Sequence, residues 1–168
     1  MPKDEKGYTF IELTVVIILI GLMAAISVPR IRHGFLTDEL KSASRNLVGV
    51  IKSLRNDAIS GQKAFFLHLE FESNRFWTDS EEMLEEERLL ARENAPSLQE
   101  GVSILDVWFR GKGKKQHGVA VIRFSKKGYV QQCAIHLSSD DGRQFTLVLS
   151  SFLGRVRVLD RYVELEDI

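Results

Sequence analysis

The chain has 168 residues, 23 basic and 23 acidic side chains, and no net charge. That balance supplies no general attraction to nucleic acid or to an anionic surface. The single cysteine, Cys133, excludes an internal disulfide, and its neighbours Val130, Ala134 and Ile135 mark it as a small buried side chain rather than a reactive thiol.

A polar leader, residues 1–6, ends at Gly7. Tyr8-Thr9-Phe10-Ile11-Glu12-Leu13 then leads without a spacer into an apolar run that reaches Val28 and is closed by Pro29. The run is close to the roughly 20 residues that cross a bilayer as a helix, so residues 8–29 are expected to form a membrane helix. Glu12 is the anomaly within it. A carboxylate costs about 2.5–3.5 kcal/mol at the centre of such a helix and less near an end. An anchor has no use for one, so Glu12 reads as a functional residue. An ordinary secretory signal has an apolar stretch of about 7–15 residues and an A-x-A-like site, whereas this run is longer and ends in Ser27-Val28-Pro29-Arg30. Lys3 and Lys6 on one side and Arg30 and Arg32 on the other leave its orientation open by charge alone.

The helical period continues through residues 30–61. Leu36, Leu40, Ala43, Leu47, Val50, Ile51, Leu54 and Ala58 recur at three- and four-residue steps, one apolar stripe on an amphipathic helix. Pro29 and Gly34 are expected to kink or loosen the junction, and Gly61 to cap the end. Residues 62–168 then change to a period of two. Strands are expected at 64–71, 75–78, 102–110, 119–124, 129–137, 144–149 and 155–158, with turns at 72–74, 125–128 and Asp141-Gly142. Residues 79–94 carry six glutamates among Met83, Leu84, Leu89 and Leu90, which predicts a short acidic amphipathic helix lying on the sheet or offered to a partner. Residues 111–118 read as a flexible basic loop. The class is α+β: a long N-terminal helix packed on an antiparallel sheet or sandwich of about seven strands.

The register of Gly7, Tyr8, Thr9 and Glu12 ahead of the apolar run resembles the class III signal of type IV pilins and pseudopilins. Ser44-Arg45-Asn46-Leu47, the stretch from Leu54 to Gln62, and Gly154-Arg155-Val156-Arg157 resemble the H-type minor pseudopilins and FimT-like minor pilins. The resemblance implies a pilin-like fold and cleavage by a prepilin peptidase between Gly7 and Tyr8, with N-methylation of Tyr8. Tyr8 stands where the family usually has Phe, and keeps the ring. Residues 1–7 would be removed, and residues 8–29 would serve first as a membrane anchor and later as filament core. Glu12 would pair with the new α-amine of a neighbouring subunit, two charges that are cheaper together than apart in lipid.

On the same resemblance the protein is a non-enzymatic subunit of the periplasmic pseudopilus of a type II secretion system. It would sit in the inner membrane of a Gram-negative bacterium, with its leader on the cytoplasmic side and its head in the periplasm. The implied partners are other major and minor pseudopilins, the prepilin peptidase, the inner-membrane assembly platform and membrane lipid. The alternative is a FimT-like minor pilin of a type IV pilus, with Arg110, Lys112, Lys114, Lys115, Lys126 and Lys127 as the candidate basic contact surface should it bind DNA in uptake. His33, His68, His117 and His136 are scattered, with no nucleophile motif near them. His68 and His136 fall in strand patterns and read as packed or surface imidazoles. No metal or cofactor is expected.

Overall fold

A computed structural model describes residues 10–151 and 155–164, except for the side chains of 24–38. The chain divides into two compact units, Met1–Phe35 and Leu36–Ile168. Helix α1, Phe10–Ser60, contributes to both. In the second unit its stripe forms as expected: Leu40, Ala43, Leu47, Ile51, Leu54 and Ala58 are buried, and Val50 packs against them half-buried. The side chain of Leu36 lies outside the described residues.

The helix ends one step differently from expectation. Gly61 still donates its N–H to Asp57 O at 2.8 Å. The residue that turns left-handed is Gln62, at φ 51°. Gly61 is required for space instead, because a Cβ there would lie 2.9 Å from Asp57 O.

Eight strands are present among the described residues: β1 Phe65–Glu70, β2 Arg75–Ser80, β3 Val102–Phe109, β4 Gly113–Lys115, β5 Val119–Phe124, β6 Cys133–Ser139, β7 Gln144–Leu149 and β8 Val156–Leu159. Helix α2, Glu85–Glu93, connects β2 to β3. A three-stranded sheet has the order β2-β1-β5 and a five-stranded sheet the order β4-β3-β6-β7-β8. Every pairing is antiparallel. The α+β class of the sequence is the class observed. The strand beyond the expected set is β4, which forms inside the basic loop by pairing Gly113–Lys115 with Val107–Phe109.

One core joins the helix to both sheets. Leu67, Leu69, Ala120, Ile122 and Phe124 come from the small sheet; Ile104, Val107, Ile135, Leu137, Leu147 and Leu149 come from the large one. Each such side chain, fully buried, contributes about 1.5–3 kcal/mol over leaving it in water. The strand period turns the alternate residues away from this core. On the small sheet the outward rows are Asp79–Phe66–Arg123, Trp77–His68–Val121 and Arg75–Glu70–Val119. On the large sheet a register shift between Ile104 and Asp106, the signature of a bulge, sets Asp106 opposite His136, and His136 stands opposite Thr146 on its other side.

Candidate functional site

The N-terminal unit presents an unusual surface. Every residue from Phe10 to Met23 is exposed, including Phe10 at 87%, Ile11 at 74% and Met23 at 69%. A helix apolar on all sides belongs in a protein core, a helix assembly or a membrane rather than in water. Thr14 hides its hydroxyl by donating from Oγ1 to Phe10 O at 2.8 Å. Glu12 occupies the first turn of α1, where a carboxylate meets the positive end of the helix dipole. Among the described residues no helix is long and apolar enough to cross a membrane. The segment expected to do so, residues 8–29, extends beyond them. Gly7 and Tyr8 lie outside the described residues; Pro29 falls within α1, among the residues whose side chains are not described.

The acidic insert forms a helix later and shorter than expected. Asp79 and Ser80 belong to β2, and α2 begins at Glu85. Glu85, Glu86 and Glu87 fill its first turn and Arg92 its last, the polarity that suits the helix dipole. Leu84 N donates to Glu87 Oε2 at 2.9 Å, closing the N-terminus. The orientation of α2 is the reverse of an ordinary amphipathic helix. Its sheet side carries arginines. Arg88 donates from Nη2 to Ser80 O and Glu81 O, each at 3.3 Å. Arg92 reaches Glu70 Oε1 at 2.9 Å and lies 5.5 Å from the Trp77 ring centre. Glu70 is held down to about 2 by the Ser73 hydroxyl and by Arg92. Leu84, Leu89 and Leu90 are left exposed, and α2 has no buried residue.

Beside α2 lies a polar cleft floored by Phe66 and Val121 and edged by His68, Asp79, Glu81, Arg88 and Arg123. His68 stacks on Trp77 with ring centres 5.0 Å apart, and its Nε2 is 3.0 Å from Asp79 Oδ2. Burial, with Arg88 and Arg92 adding to it, lowers the imidazole below its ordinary range against the opposing pull of Asp79. Asp79 Oδ1 is buried with no hydrogen-bond partner among the described residues.

The expected basic surface is only partly assembled. Lys112, Lys114 and Lys115 line one groove of about 410 Å³, together with Phe109, Val119 and Val121. Lys114 also reaches Glu164 at 3.4 Å and stands over the Tyr162 ring. Arg110 donates to Gln132 Oε1 at 2.7 Å. Lys126 and Lys127 are exposed on the β5–β6 connection and do not line this groove.

A second polar cluster had no local signal in the sequence. His136 is fully buried on the outward side of the large sheet, with Nδ1 2.6 Å from Asp106 Oδ1 and Nε2 3.0 Å from Val163 O. Tyr162 stacks on the imidazole at 4.0 Å and donates its hydroxyl to Asp106 Oδ2 at 3.2 Å. Thr146 Oγ1 donates to Arg161 O at 2.7 Å and accepts from Val163 N at 3.0 Å. Three adjacent strands thus each give one side chain to fasten residues 161–163 across the sheet. The expectation of packed imidazoles holds for His136 and for the partly exposed His68 alike. Cys133 is buried, and burial pushes its thiol far up, away from reactivity. Asp141 closes its expected turn by accepting from Arg143 N at 3.2 Å, with Gly142 at φ 83°.

No family model matches the chain, and no curated protein does. Solved structures similar to it include two of the minor pseudopilin EpsH from the type 2 secretion system of Vibrio cholerae. One has a TM-score of 0.50 at 14% identity and covers 73% of this chain and 97% of that one. The other has a TM-score of 0.52 at 14% identity and covers 76% and 97%. At this identity the likeness is one of fold: the chain has a pseudopilin-like α+β architecture.

Proposed function

We propose that this chain is a minor pseudopilin of the H type, a non-enzymatic subunit of the pseudopilus of a type II secretion system. The observation that carries the reading is a conjunction. The hexad Tyr8–Leu13 runs into a helix that is apolar on every side from Phe10 to Met23, and the same chain carries a head with a minor-pseudopilin fold. In this reading a prepilin peptidase removes residues 1–7 and methylates the amine of Tyr8. The apolar helix rests in the inner membrane with the head in the periplasm. It then moves into a filament core among other pseudopilins, driven by the assembly platform.

Glu12 is the assembly residue. It lies four residues past the new amine at Tyr8, so a neighbour displaced along the filament axis can bring that amine against it. The pairing removes two charges from lipid together. Mass spectrometry of the mature protein tests the reading. A chain beginning at N-methyl-Tyr8 is the expected result. An intact leader in cells with an active prepilin peptidase, or cleavage after Ala25, overturns it.

A further inference from the structure

We propose that the outward face of the small sheet is self-complementary and closes a two-fold dimer with a second copy of this chain, α2 of each copy seated in the lysine groove of the other. The proposal stands independently of the secretion reading.

The face has two unlike flanks. At the β2 side stands α2, with Glu86, Leu89, Leu90 and Glu93 at positions i, i+3, i+4 and i+7, one continuous stripe. That stripe is opposite Arg88, Ala91 and Arg92, which the contacts of Arg88 and Arg92 direct to the sheet. It is therefore the solvent side, with Leu89 58% and Leu90 55% exposed between two glutamates. At the β5 side lies the groove, with an apolar floor of Phe109, Val119 and Val121 and a rim of Lys112, Lys114 and Lys115. Val121 also lines the cleft that reaches Arg88, so helix and groove flank the same face.

The two flanks match in both chemistries. Two exposed leucines meet an apolar floor, and glutamates meet lysines. Because both patches lie side by side on one face, a two-fold rotation in the plane of contact brings each patch onto its complement in the second copy. This is the isologous arrangement, which satisfies both contacts at once and leaves neither open to a third copy. The sheet between them follows the same asymmetry. Asp79, with one buried oxygen that has no hydrogen-bond partner among the described residues, and the exposed Arg123 stand on either side of Phe66 in one row. The same rotation brings Arg123 of the second copy towards Asp79, adding a cation to the His68 contact and the Arg88 edge that the acid has within one copy.

Sedimentation velocity of the full chain in detergent micelles tests this with reversed charges. Wild type is expected to show a concentration-dependent dimer. E86K/E93K and K112E/K115E should each weaken it by at least about tenfold, because like charges then face each other. An equimolar mixture of the two variants, and the chain carrying all four substitutions, should each recover it. Association through the apolar N-terminal run is indifferent to these charges and cannot mimic the pattern. If a reversal fails to fold by circular dichroism, L89S/L90S, at exposed positions, should produce the same loss. A monomeric wild type, a dimer unchanged by either pair, an effect of one pair only, or no recovery in the mixture and the fourfold variant overturns the proposal.

Discussion

His136 and Asp106 hold one hydrogen between Nδ1 and Oδ1, 2.6 Å apart, with both side chains buried. Nε2 faces the carbonyl of Val163, which can only accept, so Nε2 carries its own hydrogen. Nδ1 faces Asp106, and Tyr162 donates a hydrogen to the second carboxylate oxygen. Substituting Asp106→Ala leaves a buried imidazole without its acceptor. The expected loss is about 3–5 kcal/mol, the range for removing one member of a buried pair, measured by chemical denaturation. Amide exchange should rise first at Val163, whose N–H is bonded to Thr146.

Acidification should weaken the small sheet through His68. Its imidazole is lowered by burial, against the opposing pull of Asp79 and with Arg88 and Arg92 adding to the lowering. The unfolded chain titrates at about 6.5, so between the two values it is the unfolded chain that binds the proton. The contribution is fully present above about pH 6.5 and is lost as the pH falls from there through the folded value. Melting curves between about pH 7 and pH 5 should show this decline, and His68→Gln should flatten it. An equal slope in wild type and variant would remove His68 from the account.

Gly128 should not tolerate a side chain. It lies at φ 76°, and a Cβ there would come 2.7 Å from Ile59 Cδ1 on α1. Its carbonyl accepts from Arg55 Nε at 2.9 Å, so the turn cannot lift away without losing that bond. Gly128→Ala is expected to lower stability by about 1–3 kcal/mol, read as a fall in melting temperature.

Glu12→Ala should separate processing from assembly. On the proposed reading, leader removal between Gly7 and Tyr8 should continue, while recovery of the subunit in isolated pseudopili should fall several-fold. Incorporation at the wild-type level would show that Glu12 is not the assembly contact.

Duplex DNA titrated at two salt concentrations should show no salt-sensitive binding. A phosphate-binding surface releases counterions and weakens steeply with salt. Here Lys114 is paired with Glu164, Lys115 donates from Nζ to Val119 O, and Arg110 is bound to Gln132. A steep salt slope would favour the DNA-binding pilin alternative instead.

Where side chains repeat with a period, the fold was legible in advance. The stripe from Leu40 to Ala58 is the buried face of α1, and β5 and β7 occupy the expected residues, 119–124 and 144–149. The strand expected to begin at Tyr129 instead begins at Cys133, because residues 129–132 pair only through the single bridge Phe124–Val130. The β4 strand has no apolar alternation, and left-handed glycines stand at its first residue, Gly113, and just before it, Gly111. Its order comes from β3, a partner that local pattern does not reveal. The strand expected at 155–158 occupies Val156–Leu159, and Gly154, the turn before it, lies outside the described residues.

The polar clusters were hidden for a different reason. Asp106, His136 and Tyr162 are far apart in the chain, and only a bulge in β3 and the sheet register bring them together. Helix α2 misleads by composition. Its leucines suggest an inward face, yet Glu70, Trp77 and the carbonyls of Ser80 and Glu81 offer better partners to arginine.

The polar underside of α2 also sets how the head comes apart. The helix buries no side chain, so its docking takes nothing from the shared core and is weakened by ionic strength. Amide exchange in α2 should therefore proceed by local opening, well below the free energy of global unfolding. Shortening or replacing the segment should accordingly leave the sheets beneath it closed.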